Sequence, residues 1–338
     1  MASKVQFVVR PGGRLGGALR VPGDKSISHR AIMLGSLAEG VTRVSGFLQG
    51  EDSLATLRAF RAMGVEIDGP HDGRVIIRGV GMHGLKAPIA PLDLGNSGTS
   101  MRLMSGLMAG QGLDLMLIGD RSLSARPMKR VTDPLAQMGA DIASAQGGTA
   151  PLHIRPVQGL SGISYKMPVA SAQVKSCLLL AGMYAKGETC VTEPAPTRDH
   201  TERMLQGFGY EVRREDGHAC LTGGGRLRAC DIDVPGDISS AAFFLVGASI
   251  ADGSDLTLEH VGMNPTRDGV INILRLMGAN IEVLNEREVG GEAVADLRVR
   301  SAPLTGIRIP QDQVPLAIDE FPVLFVAAAC AQGETVLT

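Results

Sequence analysis

The residues best suited to chemistry sit in short polar strings, each placed directly before an apolar run. Lys25, Ser26 and Arg30 belong to Pro22-Gly23-Asp24-Lys25-Ser26-Ile27-Ser28-His29-Arg30, which leads into Ala31-Ile32-Met33-Leu34-Gly35-Ser36-Leu37-Ala38. Pro-Gly-Asp breaks a strand, and Asp24, Ser26 or Ser28 can cap the helix that the apolar run continues. The first turn of a helix presents unpaired N–H groups and a partial positive charge. Two cations and two hydroxyls beside it make a site for an anion, although not the G-x-x-x-x-G-K-[ST] loop of nucleotide-binding proteins. One such string is also what a capped helix with solvated charges looks like; what tips the reading is that the pattern recurs.

Similar openings lie at Leu94-Gly95-Asn96-Ser97-Gly98-Thr99, Val169-Ala170-Ser171-Ala172-Gln173, Pro235-Gly236-Asp237-Ile238-Ser239-Ser240 and Ala317-Ile318-Asp319-Glu320-Phe321-Pro322. They recur about every 65 to 85 residues, enough for one supersecondary unit. Each leads into a buried small-residue helix that stops at a glycine and gives way to a strand, such as Thr42-Arg43-Val44 or Asp255-Leu256-Thr257-Leu258. An amphipathic helix and a further strand complete the unit at residues 54–67, 134–142, 201–212 and 270–283. The fifth opening has no second half before Gly333-Glu334-Thr335-Val336-Leu337-Thr338. Stacked units bury their faces against each other, so a chain shortened from a longer protein is expected.

A length of 338 residues favours two domains. A net charge of -2 argues against a nucleic-acid binder, and the absence of Trp removes the best stacking platform for bases. Cys177, Cys190, Cys220, Cys230 and Cys330 form no C-x-x-C pair, so free thiols in a reducing compartment are expected, with neither zinc nor a disulfide framework. Residues 1–20 lack the apolar core of a signal peptide and no run reaches membrane length, which predicts a cytoplasmic protein.

Taken together, the sequence resembles the enolpyruvyl transferases over essentially its whole length, in the branch that acts on shikimate 3-phosphate. The resemblance is carried by residues 22–30, by Leu94-Gly95-Asn96-Ser97-Gly98-Thr99-Ser100-Met101-Arg102, by Gly119-Asp120-Arg121-Ser122-Leu123-Ser124-Ala125-Arg126-Pro127-Met128, and by Ser171-Ala172-Gln173-Val174-Lys175-Ser176. It implies an α/β fold: a two-domain inside-out α/β barrel of βαβαββ repeats, with about four and a half of six present. Residues 1–19 and 237–338 would form one, incomplete domain and residues 20–236 the other, with three repeats and a cleft between the two. The family's Arg-Val-Lys-Glu-Ser-Asp-Arg-Leu string is absent.

The implied reaction joins the enolpyruvyl group of phosphoenolpyruvate to the 5-hydroxyl of shikimate 3-phosphate and releases phosphate, a step of aromatic amino acid biosynthesis, with no metal or organic cofactor. By motif position Lys25 would lie between the substrates. Ser26 and Arg30 would take the shikimate carboxylate, Ser171 and Arg198 the 3-phosphate, with the Ala172 backbone and Gln173 beside them. Arg126, Asn96 and Gly98 would hold phosphoenolpyruvate together with Lys25 and Gln173, and Gly98 implies sensitivity to glyphosate. Asp319 would face the reacting hydroxyl as its base, although from the residues alone it reads as a helix cap.

Partners would be the two small substrates and, in one version, a separate C-terminal segment, with neither nucleic acid nor membrane. The alternatives are transfer to UDP-N-acetylglucosamine, disfavoured because Ser122-Leu123-Ser124 precedes Ala125-Arg126-Pro127 where that branch has a Cys, and a non-catalytic fragment that binds shikimate 3-phosphate. His200 is expected near the phosphate, and His71, His83, His153, His218 and His260 in solvent. The methionines of 101–116 read as core, and Arg213-Arg214-Glu215-Asp216 as an exposed turn.

Overall fold

Side-chain caps start four of the five helices that the polar strings announce; the fifth, which begins at Phe321, has Glu320 at its cap position and no side-chain cap bond, so Asp319 is not its cap. Asp24 Oδ1 accepts from the Ile27 amide at 2.9 Å, Ser97 Oγ from Ser100 at 3.1 Å, Ser171 Oγ from Val174 at 3.4 Å and Asp237 Oδ1 from Ser239 at 3.0 Å. Each such cap contributes about 1 kcal/mol. Asp24, rather than Ser26 or Ser28, caps the first helix. These details come from a computed structural model that describes residues 6–10, 12–215 and 217–338.

The first unit runs β1 (Gly16–Leu19), α1 (Lys25–Leu37), β2 (Glu39–Ser45), α2 (Glu51–Ala62), β3 (Glu66–His71) and β4 (Arg74–Val80). The second runs β5 (Leu92–Asp93), α3 (Gly98–Ala109), β6 (Leu115–Ile118), the short α4 (Arg121–Ser124), α5 (Lys129–Gln137), β7 (Asp141–Ala145) and β8 (Thr149–Arg155). The third holds β9 (Leu160–Ser161), β10 (Ser164–Lys166), α6 (Ala172–Gly182), β11 (Ala185–Lys186), β12 (Glu188–Thr192), α7 (His200–Gly207), β13 (Arg213–Glu215) and β14 (His218–Thr222). The fourth comprises β15 (Ile232–Asp233), α8 (Ile238–Ile250), β16 (Asp255–Gly262), α9 (Gly269–Leu276), β17 (Asn280–Val289) and β18 (Glu292–Arg300), followed by two 3-10 turns and α10 (Phe321–Cys330).

The second helix of every unit ends the same way. Met63, Met138, Phe208 and Met277 are buried, and the glycine after each, Gly64, Gly139, Gly209 and Gly278, has φ between 78° and 95°. A side chain there would be strained, so glycine is what lets the chain reverse from helix into strand.

Among the described residues four four-stranded sheets share one order: β15-β2-β4-β3, β5-β6-β8-β7, β10-β12-β14-β13 and β1-β16-β18-β17. In each, the first pair is parallel and the others antiparallel. Two edge strands are exchanged. β1 precedes α1 but pairs with β16, Gly16 opposite Asp255, whereas β15 precedes α8 but pairs with β2, Ile232 opposite Val44. The exchange follows from two chain crossings that lie side by side, where the Asp24 amide bonds Pro235 O at 2.8 Å and the Asp237 amide bonds Pro22 O at 2.9 Å.

Buried apolar side chains form two clusters accordingly, one drawn from Ile27 to Val234, the other from Val21 and from Ile238 to Ala327. In the first body α1, α3 and α6 are buried on nearly every side, with the sheets around them. Met101, Met104 and Met108 fill that centre, as their spacing predicts. In the second body α8 and α10 pack together and leave Phe243, Phe325 and Val326 about half exposed or more. Among the described residues no helix is long and apolar enough to cross a membrane.

Three sequence expectations need correcting. Cys190 and Cys220 are not free thiols but a disulfide, because the antiparallel register of β12 and β14 sets them directly opposite each other. Spacing along the chain does not reveal that register. His260 is not solvated: it is 9% exposed, with Nδ1 2.8 Å from Arg287 and Nε2 3.0 Å from Asp233. Arg213-Arg214-Glu215 form an edge strand rather than a turn, because they pair with Glu215 opposite His218 in β14; Asp216 lies outside the described residues.

Candidate active site

A cleft of about 480 Å³ opens between the two bodies at the N-terminal ends of α1, α6 and α8. Lys25, Ser26, Arg30, Ala172, Gln173, Arg198 and Asp319 line it, with Thr99, His200, Asp237, Ser239 and Arg267. Ser171, Asn96, Gly98 and Arg126 are not in that lining. Ser171 caps α6 one residue before it, and the other three join it through α3. There Arg102 Nη1 donates to Gln173 Oε1 at 2.5 Å, and a Cβ on Gly98 would lie 3.5 Å from Arg102 Nη1 and 2.9 Å from Arg126 Nη1.

Three arginines here, Arg30, Arg102 and Arg126, are held by neutral oxygens. Arg30, 4% exposed, donates to Thr201 Oγ1 at 2.6 Å, to Ser176 Oγ at 2.8 Å and to Ser26 O at 2.9 Å. Burial pushes its pKa down to about 10, which still leaves it charged at neutral pH. Arg126 donates to Asn96 Oδ1 at 2.6 Å, and Asn96 in turn donates to Asp120 at 2.8 Å. That bond from Asn96, with the Leu123 amide, holds the Asp120 carboxyl below its usual range. Burial, then Arg130 and Arg126, depress Arg102, whose buried Nε has no partner among the described residues. Among the described residues none of Arg30, Arg102 and Arg126 has a carboxylate within ion-pairing distance. Cationic charge so held, beside helix N-termini, favours anions.

Other contacts tie the bodies together. Arg267, 4% exposed, reaches Asp24 at 2.6 Å, Asp237 at 3.1 Å and Ser239 at 2.6 Å, with Glu320 at 3.7 Å. One guanidinium thus holds the caps of α1 and α8. Burial opposes Asp24's ionisation, but Arg267 and His200 bring its pKa below the usual range, while burial is outweighed by Asp24, Asp237 and Glu320 in raising that of Arg267. Arg198, depressed by burial and by Arg267, pairs with Asp319 across the cleft. Lys25 Nζ lies 3.3 Å from Asp52 on α2.

Sequence reasoning singled out neither Arg102, Arg267 nor Asp52. Arg102 carried a legible signal: like Arg30 in α1 and Lys175 in α6, it is a cation four to six residues into a largely buried central helix. Lys175, 1% exposed, pairs with Glu193 and with Glu202, the latter at 2.7 Å. Arg267 gave no such signal, because its partners are 243 and 30 residues away.

Buried helices with sheets around them in the first body, and a cation-lined cleft between it and the second, are the features of the enolpyruvyl transferase class. A family model described as EPSP synthase (3-phosphoshikimate 1-carboxyvinyltransferase) matches residues 9–338. A protein named 3-phosphoshikimate 1-carboxyvinyltransferase from Alkalilimnicola ehrlichii is 75% identical over 334 residues, covering 99% of this chain and 75% of that protein. Its namesake from Methylococcus capsulatus is 70% identical over 99% of this chain and 76% of its own length. The solved EPSP synthase from Acinetobacter baumannii superposes with a TM-score of 0.91 at 60% identity, covering 97% of this chain and 75% of that one. The chain belongs to the EPSP synthase family.

Proposed function

We propose that the cleft joins phosphoenolpyruvate to shikimate 3-phosphate. The observation that carries this reading is the set Arg30, Arg102 and Arg126, charged groups held by hydroxyls and amides rather than by carboxylates. Two polyanions brought together need such charge to offset their repulsion, and fixed donors supply it without reorganising at the moment of reaction. The two clusters of buried side chains are read as two domains, residues 20–236 and residues 1–19 with 237–338.

Arg30 and Ser26 take the ligand's carboxylate; Arg30 has two N–H groups to spare after its three bonds. Ser171 at the cap of α6, the Ala172 amide, Gln173 and Arg198 take the 3-phosphate. Arg126, fixed by Asn96, takes phosphoenolpyruvate past the open face of Gly98, with Lys25 and Gln173 between the two ligands. The bond between C2 of phosphoenolpyruvate and its phosphate oxygen breaks, a bond from C2 to the 5-oxygen forms, and the hydroxyl proton leaves with the phosphate.

Asp319 receives that proton first. Its carboxylate is paired with Arg198 across the cleft. A phosphate that competes for Arg198 frees the carboxylate, so the acceptor ligand readies its own base. The test is phosphate release by the purified chain with both substrates. Release that needs both supports the reading; no release, with no heat of binding for shikimate 3-phosphate, overturns it.

A further inference from the structure

Among the described residues the Arg126 guanidinium makes one hydrogen bond, from Nη2 to Asn96 Oδ1 at 2.6 Å. A long cationic side chain held at one point takes its direction from that partner. Asn96 serves only with its amide oxygen toward Arg126, because its NH2 is a donor and a guanidinium offers nothing but donors. The two ends of an amide have nearly the same shape, so packing does not choose between them; the hydrogen-bond partners do.

Asp120 makes that choice. Its Oδ2 accepts from Asn96 Nδ2 at 2.8 Å, and its Oδ1 accepts from the Leu123 amide at 2.7 Å as the cap of α4. These bonds, the one from Asn96 first, hold its carboxyl below the usual range, so it is ionised at neutral pH and has no hydrogen to give. It therefore accepts the NH2 end of Asn96 and leaves the oxygen for Arg126. The two strings are also joined through their backbones, where the Asp120 amide bonds Gly95 O at 2.8 Å.

We propose that Asp120 is a positioning residue for phosphoenolpyruvate: it fixes the Asn96 amide, and through it Arg126, without setting a carboxylate on that guanidinium. A carboxylate paired directly with Arg126 would have to be displaced by the incoming anion. The interposed amide supplies the direction and leaves the charge free. Hydrogen-bond polarity thus runs one way, from Arg126 through Asn96 to Asp120, and the first turn of α4 anchors its far end. This inference rests on the reading of Arg126 as a group that holds phosphoenolpyruvate.

Two variants of the full chain test it. Asp120→Ser keeps a capping oxygen for α4 but is too short to hold Asn96. The double variant Asn96→Asp with Asp120→Asn keeps every hydrogen bond of the relay with donor and acceptor exchanged between positions 96 and 120, and sets a carboxylate on Arg126. The quantity read is the KM for phosphoenolpyruvate, or its dissociation constant from the complex with shikimate 3-phosphate where no turnover follows. Asp120→Ser should raise it roughly fivefold, with the KM for shikimate 3-phosphate within about twofold and the melting temperature within about 4 °C of the wild type. The double variant should melt like the wild type and still bind phosphoenolpyruvate roughly tenfold more weakly, which a merely structural role for Asp120 does not predict. An unchanged value for phosphoenolpyruvate in Asp120→Ser, or wild-type affinity in the double variant, overturns the inference alone. Failure of the wild type to bind either substrate overturns the reading of the site and the inference with it. Should Asp120→Ser not fold, the double variant decides by the same criterion.

Discussion

Gly98→Ala perturbs the cleft by one methyl group. The added Cβ would stand 2.9 Å from Arg126 Nη1, against the 3.4 Å at which ordinary contact begins, so the guanidinium must retreat by about 0.5 Å. The atom that yields is the far end of a flexible side chain, and the site opens α3, so folding stability should change by less than about 1 kcal/mol. Ligand binding is less forgiving. A charge-assisted hydrogen bond contributes about 1.5 to 3 kcal/mol, and a stretch of this size forfeits about a third to a half of it, or roughly 1 kcal/mol. The KM for phosphoenolpyruvate should therefore rise roughly fivefold, while that for shikimate 3-phosphate holds within about twofold. Inhibition by glyphosate should weaken at the same time, as expected for alanine at this place in the family. Initial rates of phosphate release with each substrate and with glyphosate varied, beside a melting curve, read all four quantities. An unchanged KM for phosphoenolpyruvate together with a clear loss of melting temperature would mean that the backbone, not Arg126, absorbs the methyl group, and the reasoning would fail.

Other perturbations reach the remaining parts of the site. Arg267→Met leaves Asp24 and Asp237 buried without their cation and should cost about 3 to 5 kcal/mol in urea denaturation; a loss below about 1 kcal/mol would refute the role given to that guanidinium. Asp319→Asn should lower kcat at least about 100-fold while shikimate 3-phosphate still binds, and full turnover would remove Asp319 as the base. His29, fully buried against Thr56 at 2.7 Å, has its pKa lowered by burial to about 3 from 6.5 in the unfolded chain. The unfolded chain therefore binds the extra proton first. Stability should be complete above pH 6.5 and decline as pH falls toward 3, by on the order of 4 kcal/mol, and His29→Gln should lose this part of the slope in urea melts at pH 7, 5.5 and 4.

The repeat was legible because each unit marks its own start and stop in local chemistry. Asp24, Ser97, Ser171 and Asp237 cap from within three residues, and Gly64, Gly139, Gly209 and Gly278 end the second helices with the backbone that glycine permits. Lys25, Ser26, Arg30, Ala172 and Gln173 were legible for the same reason, since they ride on those starts into the cleft. Arg198 and Asp319, 121 residues apart, were reached through the family resemblance, and nothing local in either string shows that they meet. What stayed hidden depends on register and on contacts between bodies. Cys190 and Cys220 look unrelated until two strands align, Arg267 looks like a loop arginine until Asp24 and Asp237 converge on it, and the Glu292 that holds His200 comes from a different body.

The exchanged edge strands fix an order of events at the ribosome. β1 is made before every other strand described here, yet its partner in the sheet, Asp255–Gly262, follows roughly 240 residues later. At roughly 5 to 20 residues per second, β1 waits for about 10 to 50 seconds before it can pair. The first body needs no such wait once β15 is made, since all the strands of its sheets lie in the continuous stretch that follows β1. It can close on itself while still tethered, with Gly16–Leu19 left as a loose strap for the body synthesised after it. A ribosome paused near residue 270 should therefore carry a protease-resistant first body with a cleavable β1 strap, and the strap should become resistant only after β16 has emerged.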